Sequence, residues 1–223
     1  MFSKIQVGLL VFIFSACWIQ GANAISMYPS LHRKVEKSTI IAIGAVTKEQ
    51  SLYRKDAIKL SDDGKSYIVP LPKHEGTVFT IAFKEVLLGD KSFKKISIFQ
   101  KGRHAEDMAF YKKGATYLLF LKETKIDPKI ATEHNLSNQK YYESVSGNQG
   151  VFILSSKGKR ILTDEEKRNL EYVKTVKTFC EVKKIEDDSQ RVRRWRELMQ
   201  SSNKILRENA KAELEKMGIK IPE

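Results

Sequence analysis

The chain has 223 residues, with 40 Lys and Arg against 27 Asp and Glu, a formal net charge of +13. Its 2 cysteines, Cys17 and Cys180, are too few to staple a small secreted scaffold, so a fold of this length must be held by an apolar core. A basic balance in an exported chain points to anionic envelope polymers, lipid headgroups or acidic proteins, and nucleic acid is not expected as a partner.

The first 24 residues carry the export pattern. Lys4 is their one charge, the apolar run Ile5–Ile19 follows, and Ala22-Asn23-Ala24 places small residues where a signal peptidase reads. Cleavage after Ala24 is the expectation, giving a secreted, periplasmic or cell-surface protein. The alternative is lipidation at Cys17, which ends the loose lipobox Phe14-Ser15-Ala16-Cys17 and would hold the protein on a membrane surface. The apolar run is short for a membrane span, which needs about 20 residues. Cleavage would leave Cys180 as a lone thiol and exclude any internal disulfide.

Residues 25–162 read as a β domain. Thr39–Val46 is β-branched and apolar, and Lys65–Leu71 is a shorter run closed by Pro70 and Pro72. Thr77–Val86 alternates bulky residues at Phe79, Ile81 and Phe83, which places one face in a core. Gly89-Asp90 turns the chain into Lys94–Gln100, and Tyr117–Leu121 reads as a strand buried on both faces. Residues 124–139 read as a solvated loop. Tyr141–Val145 and Gly150–Leu154 then flank Gly147-Asn148-Gln149 as a hairpin. Strands joined by turns without helical crossovers argue for an antiparallel barrel or sandwich.

From residue 163 the period becomes helical, and 163–223 reads as a small all-α appendage. Thr163 caps a helix that opens with Asp164-Glu165-Glu166 and carries Leu170, Val173, Val176, Phe179 and Cys180. Asp187-Asp188-Ser189 opens a second, with Val192, Trp195, Leu198 and Met199 on one stripe. A third runs from Lys204 to Met217 and stops at Gly218.

Two segments, Phe83-Lys84-Glu85-Val86-Leu87-Leu88-Gly89-Asp90 and Tyr111-Lys112-Lys113-Gly114-Ala115-Thr116-Tyr117-Leu118-Leu119-Phe120-Leu121, sit in an order shared with Ile41–Val46, Ile96–Ile98 and Gln149–Phe152. Over roughly residues 36–155 this order resembles OB-fold domains related to tissue inhibitors of metalloproteinases, above all their bacterial secreted relatives. The helical end, with Trp195–Met199 and Leu206–Ala210, is similar to the HEAT-like pair that closes such proteins. The resemblance implies an OB-like, five-stranded antiparallel β-barrel followed by the small all-α region. It does not extend to the inhibitory wedge of the animal proteins, a mature N-terminal cysteine pinned by disulfides, because the expected mature start here is Ile25-Ser26-Met27-Tyr28-Pro29. A loose N-terminus would have to be ordered on binding, at a conformational cost.

No catalytic motif stands out. The histidines His32, His74, His104 and His134 are scattered, so neither a metal site nor a cofactor is expected. His104-Ala105-Glu106-Asp107 is the densest polar cluster and would serve a hydrolase reading, although it reads more simply as a loop. Residues 25–163 hold 24 basic and 14 acidic side chains, whereas 164–223 hold 15 and 13. The expected binding surface is therefore the basic face of the barrel, through Lys94, Lys95, Lys101, Arg103, Lys112 and Lys113. The sequence leads to a non-catalytic binding module for an extracytoplasmic protein or an anionic envelope polymer. Protease inhibition through the barrel edge or N-terminus, and an unrecognised hydrolase, are the alternatives.

Overall fold

The sheet is built outward from β1 (Ile40–Asp62), whose first residues hold a strand along each side. Its first residues, Ile40–Ala45, pair antiparallel with Leu121–Thr116 of β4 (Thr116–Thr124), while Ile41 onward pairs antiparallel with β2 (Lys65–Leu88). β3 (Lys95–Lys101) lies antiparallel along β2, and β5 (Tyr141–Ser144) lies antiparallel along β4. The two free edges meet where β3 and β5 run parallel over two residue pairs, Ser97 with Tyr141 and Ile98 with Tyr142. A sixth strand, β6 (Val151–Ser155), follows β5 along the same side of β4, pairing with Thr116–Leu119 opposite β1. The result is a mixed six-stranded sheet, five strands of which form a partial ring. The computed structural model describes residues 30–62, 65–101, 111–137, 139–156 and 161–221, with backbone alone over 55–72.

Among the described residues the α-helices are α1 (Leu31–Lys37), the short α2 (Pro128–Glu133), α3 (Asp164–Lys183), α4 (Asp188–Met199) and α5 (Lys204–Lys216). Leu31–Glu223 forms one compact unit. Among the described residues no helix is long and apolar enough to cross a membrane.

Burial on both faces explains the unbroken apolar run in β4, where Tyr117 to Leu121 are all buried. Alternation sends Tyr117, Leu119 and Leu121 into the ring, where they meet Ile40, Phe79, Ile81, Ile96 and Ile98. The intervening Leu118 and Phe120 point the other way, to Val176, Phe179, Trp195 and Leu214 of the helices. One strand thus joins two cores. A third, smaller core under α2 gathers Leu52, Val78, Phe99, Ile130, Leu136 and Tyr141.

The structure corrects four expectations. The sheet is mixed, because β3 and β5 run parallel, and its ring is only partial. Tyr141–Ser144 and Val151–Ser155 do not form a hairpin with each other. Both pair with β4, in series along the side away from β1, with Ser146 and Gly147 at positive φ and the 3-10 turn Gly147–Gly150 between them. Residues 128–133, read as loop, form α2, started by the Asp127 carboxylate accepting from Lys129 N at 2.9 Å and by Pro at the first turn. Lys65–Leu71 is no separate strand, since β1 and β2 pair without a break to Asp62 and Lys65, and their far half extends as a two-stranded arm. Pro70 and Pro72 fit there because that stretch of β2 has β1 as its one neighbour.

Candidate functional site: a lysine-lined cleft

The end of β2 and the turn after it shape one wall of a cleft. Gly89, at φ +100, makes the reversal, and a Cβ there would lie 2.7 Å from the Thr39 carbonyl oxygen. The Asp90 carboxylate then accepts from Ser92 N at 2.8 Å, fixing the turn, and this backbone hydrogen bond holds its pKa below the usual aspartate value. The opposite wall is α3, started by a reciprocal cap between Thr163 and Glu166. Between them lies a cavity of about 350 Å³, its apolar floor including Phe83, Val86 and Phe93.

Five lysines line this cleft, Lys84, Lys91, Lys94, Lys177 and Lys184, against two acids, Glu85 and Glu181. Lys177 Nζ donates to Glu85 Oε2 at 2.7 Å, which neutralises one of each. Lys84 Nζ donates to the hydroxyl of Thr116 at 3.0 Å, a partner without charge. Among the described residues, Lys91, Lys94 and Lys184 make no side-chain hydrogen bond or ion pair. Unpaired ammonium groups above apolar walls attract a flexible anion, with affinity set by how many of its charges they meet. Two other clefts of similar volume carry fewer cations: Arg168 and Lys174 with Glu171 in one, Arg196 and Lys220 in the other.

Of the predicted surface, Lys94 alone lines the cleft. Lys95 and Lys101 are exposed at opposite ends of β3, about 20 Å apart at strand spacing. Lys112 and Lys113 are exposed on the turn before β4, where Lys112 N donates to the Tyr117 hydroxyl at 2.7 Å. Arg103 lies outside the described residues, as do Cys17, Ala24 and the His104, Glu106 and Asp107 cluster. Beside Lys94 the cleft draws on Lys84, Lys91, Lys177 and Lys184. Their signal was absent from any one stretch of sequence, because Lys84 and Lys177 are brought together from distant segments.

The remaining polar candidates are occupied or buried. His32 Nδ1 lies 2.5 Å from Glu213 Oε1, and His74 Nε2 lies 3.2 Å from Thr77 Oγ1. Cys180 is 1% exposed, and burial pushes its thiol up to about 12, so it is a packing group. No family model, curated protein or solved structure matches this chain.

Proposed function

We propose that this protein is an exported, non-catalytic binding module that takes a polyanionic partner in the cleft between β2 and α3. The observation that carries this reading is the charge inventory of that cleft, five lysines against two glutamates over an apolar floor. A pre-shaped concave site with charge of one sign concentrates counter-charge from solution. An anionic envelope polymer fits better than a compact acidic protein, because repeated charges on one flexible chain can meet several of the lysines at once.

On this reading the partial ring is an OB-like barrel akin to the secreted relatives of the metalloproteinase-inhibitor family. Its support is the five-strand circuit β1-β2-β3-β5-β4, which returns to β1, since the OB fold is a partly open five-stranded barrel. The apolar floor of the cleft, Phe83, Val86 and Phe93, packs against the core of that ring.

The test is binding of inorganic polyphosphate by the purified protein at about 50 and 150 mM salt. Exposed charges are screened over about 10 Å at the higher value, so affinity should fall steeply between the two. Changing Lys91, Lys94 and Lys184 together to Gln should weaken binding about tenfold or more, at about 0.5–1 kcal/mol for each exposed charge. The pair Lys112→Gln and Lys113→Gln should leave it nearly unchanged. Salt-insensitive binding, or equal losses in both variants, defeats the cleft assignment.

A further inference from the structure

We propose that Glu75, Glu133 and His134 bind one divalent transition-metal ion where the β1–β2 arm meets the end of α2. One ligand atom from each residue lies within 4.8 Å of the other two. His134 Nε2 and Glu75 Oε2 are 3.6 Å apart, too far for a hydrogen bond. Both atoms are buried and neither has a hydrogen-bond partner. The Glu75 side chain is 9% exposed, so an acceptor oxygen is held out of water and turned towards an imidazole nitrogen that is equally unsatisfied.

Local structure builds this meeting. The register of β1 against β2 passes from Leu52 with Gly76 to Tyr53 with His74, which leaves Glu75 as the extra residue of a bulge. Such a residue leaves the ladder and its side chain is re-aimed, a device that recurs beside functional sites. From the other side, His134 is fixed as the cap of α2, its N–H donating to Ile130 O at 3.1 Å, and Ile130 is anchored in the small third core. Asn135, at φ 56, then turns the chain away. Arg54 Nη1 stands 3.5 Å from Glu75 Oε1, so the second carboxylate oxygen already has an orienting partner and Oε2 is the free one.

The donor set selects the ion. An imidazole with two carboxylates suits Zn²⁺ or its neighbours better than Mg²⁺ or Ca²⁺, which take oxygen ligands throughout. Two ligands about 2.1 Å from a tetrahedral Zn²⁺ sit about 3.4 Å from one another, close to the separation between His134 Nε2 and Glu75 Oε2. Glu133 is exposed, so its side chain can swing to complete the set. Three protein ligands leave a fourth position for water or for an anionic group of a partner.

The experiment uses the purified, untagged chain stripped with a chelator, then titrated with Co²⁺ by visible absorption and with Zn²⁺ by calorimetry. The expected result is one ion per chain, with the intense absorption of tetrahedral Co²⁺ and its displacement by Zn²⁺. His134→Asn and Glu75→Gln should each weaken uptake about tenfold or more. Glu133→Gln changes an exposed side chain, so lost affinity there with an unchanged melting temperature in the metal-free protein separates a ligand from a folding defect. An ion pair between His134 and Glu75 with no metal role predicts no saturable uptake at 100 μM Zn²⁺, taken here as about the weakest affinity a site would show. That result, or uptake unchanged in Glu133→Gln and His134→Asn, overturns the proposal.

Discussion

Lys34 offers the sharpest test of the packing described above. It sits on the buried side of α1 at 6% exposure, with Nζ 4.7 Å from the Phe152 ring centroid and 6.0 Å from those of Phe120 and Tyr172. Burial lowers its pKa from 10.5 to about 8. Below pH 8 both folded and unfolded chains carry the proton, and the folded state bears the full cost of a poorly hydrated ammonium. Between pH 8 and 10.5 the unfolded chain keeps the proton and the folded one sheds it, so this contribution to stability rises with pH. A gap of that size corresponds to about 3 kcal/mol, from which the ring contacts of a cation subtract about 1 kcal/mol in any replacement. Lys34→Met keeps the length and removes the charge, so it should stabilise the protein by about 2 kcal/mol at pH 7. For a chain of this size that is about 5 °C in melting temperature. Urea unfolding of both proteins at several pH values from 7 to 10.5 is the assay, and the advantage of Lys34→Met should shrink towards the alkaline end. The common titration of the other lysines cancels in the difference. A destabilised variant at pH 7, or a difference that does not change with pH, would refute this account of Lys34.

Two further outcomes follow from the helical layer. Thr163 Oγ1 accepts from Glu166 N at 3.1 Å while Glu166 Oε2 accepts from Thr163 N at 2.8 Å, so Thr163→Ala should cost about 1 kcal/mol in urea unfolding, and an unchanged midpoint would discount the cap. Cys180 should resist a disulfide-exchange reagent at pH 8 until denaturant is added, because its thiol is buried and its pKa is raised to about 12. Fast labelling of the native protein would show that the interface between α3 and the sheet is open.

The sequence was most informative where a residue's neighbours along the chain decide its state. The caps of α3, α4 and α5 are Thr163, Asp187 and Asn203, each accepting from a backbone N–H of the first turn, and all three lie where the helical period begins. The doubly apolar run in β4 announced a strand covered on both sides. Pairing was harder to read. Gly147-Asn148-Gln149 marks a reversal, but a turn signal does not say which strand the chain meets next, and β6 met β4 rather than β5. Helix α2 carried its own start signal in Asp127-Pro128, yet six residues are too few for an apolar stripe to stand out from a polar loop. Glu75 gave no local sign at all, since a bulge is a mismatch between two strands.

The same distinction governs charge. Counting lysines by segment placed the excess in residues 25–163 and left the helical end nearly neutral. In the folded chain α3 nonetheless brings Lys177 and its C-cap Lys184 to the cleft with one acid, Glu181, while Glu166 lies in the cap and Glu171 against Lys174 at 2.8 Å. A helix with little net charge can therefore present a basic face, because its acids and bases point in different directions around the axis. What a polyanion meets is the local imbalance within about one screening length, and that is set by which faces the two cores turn outward.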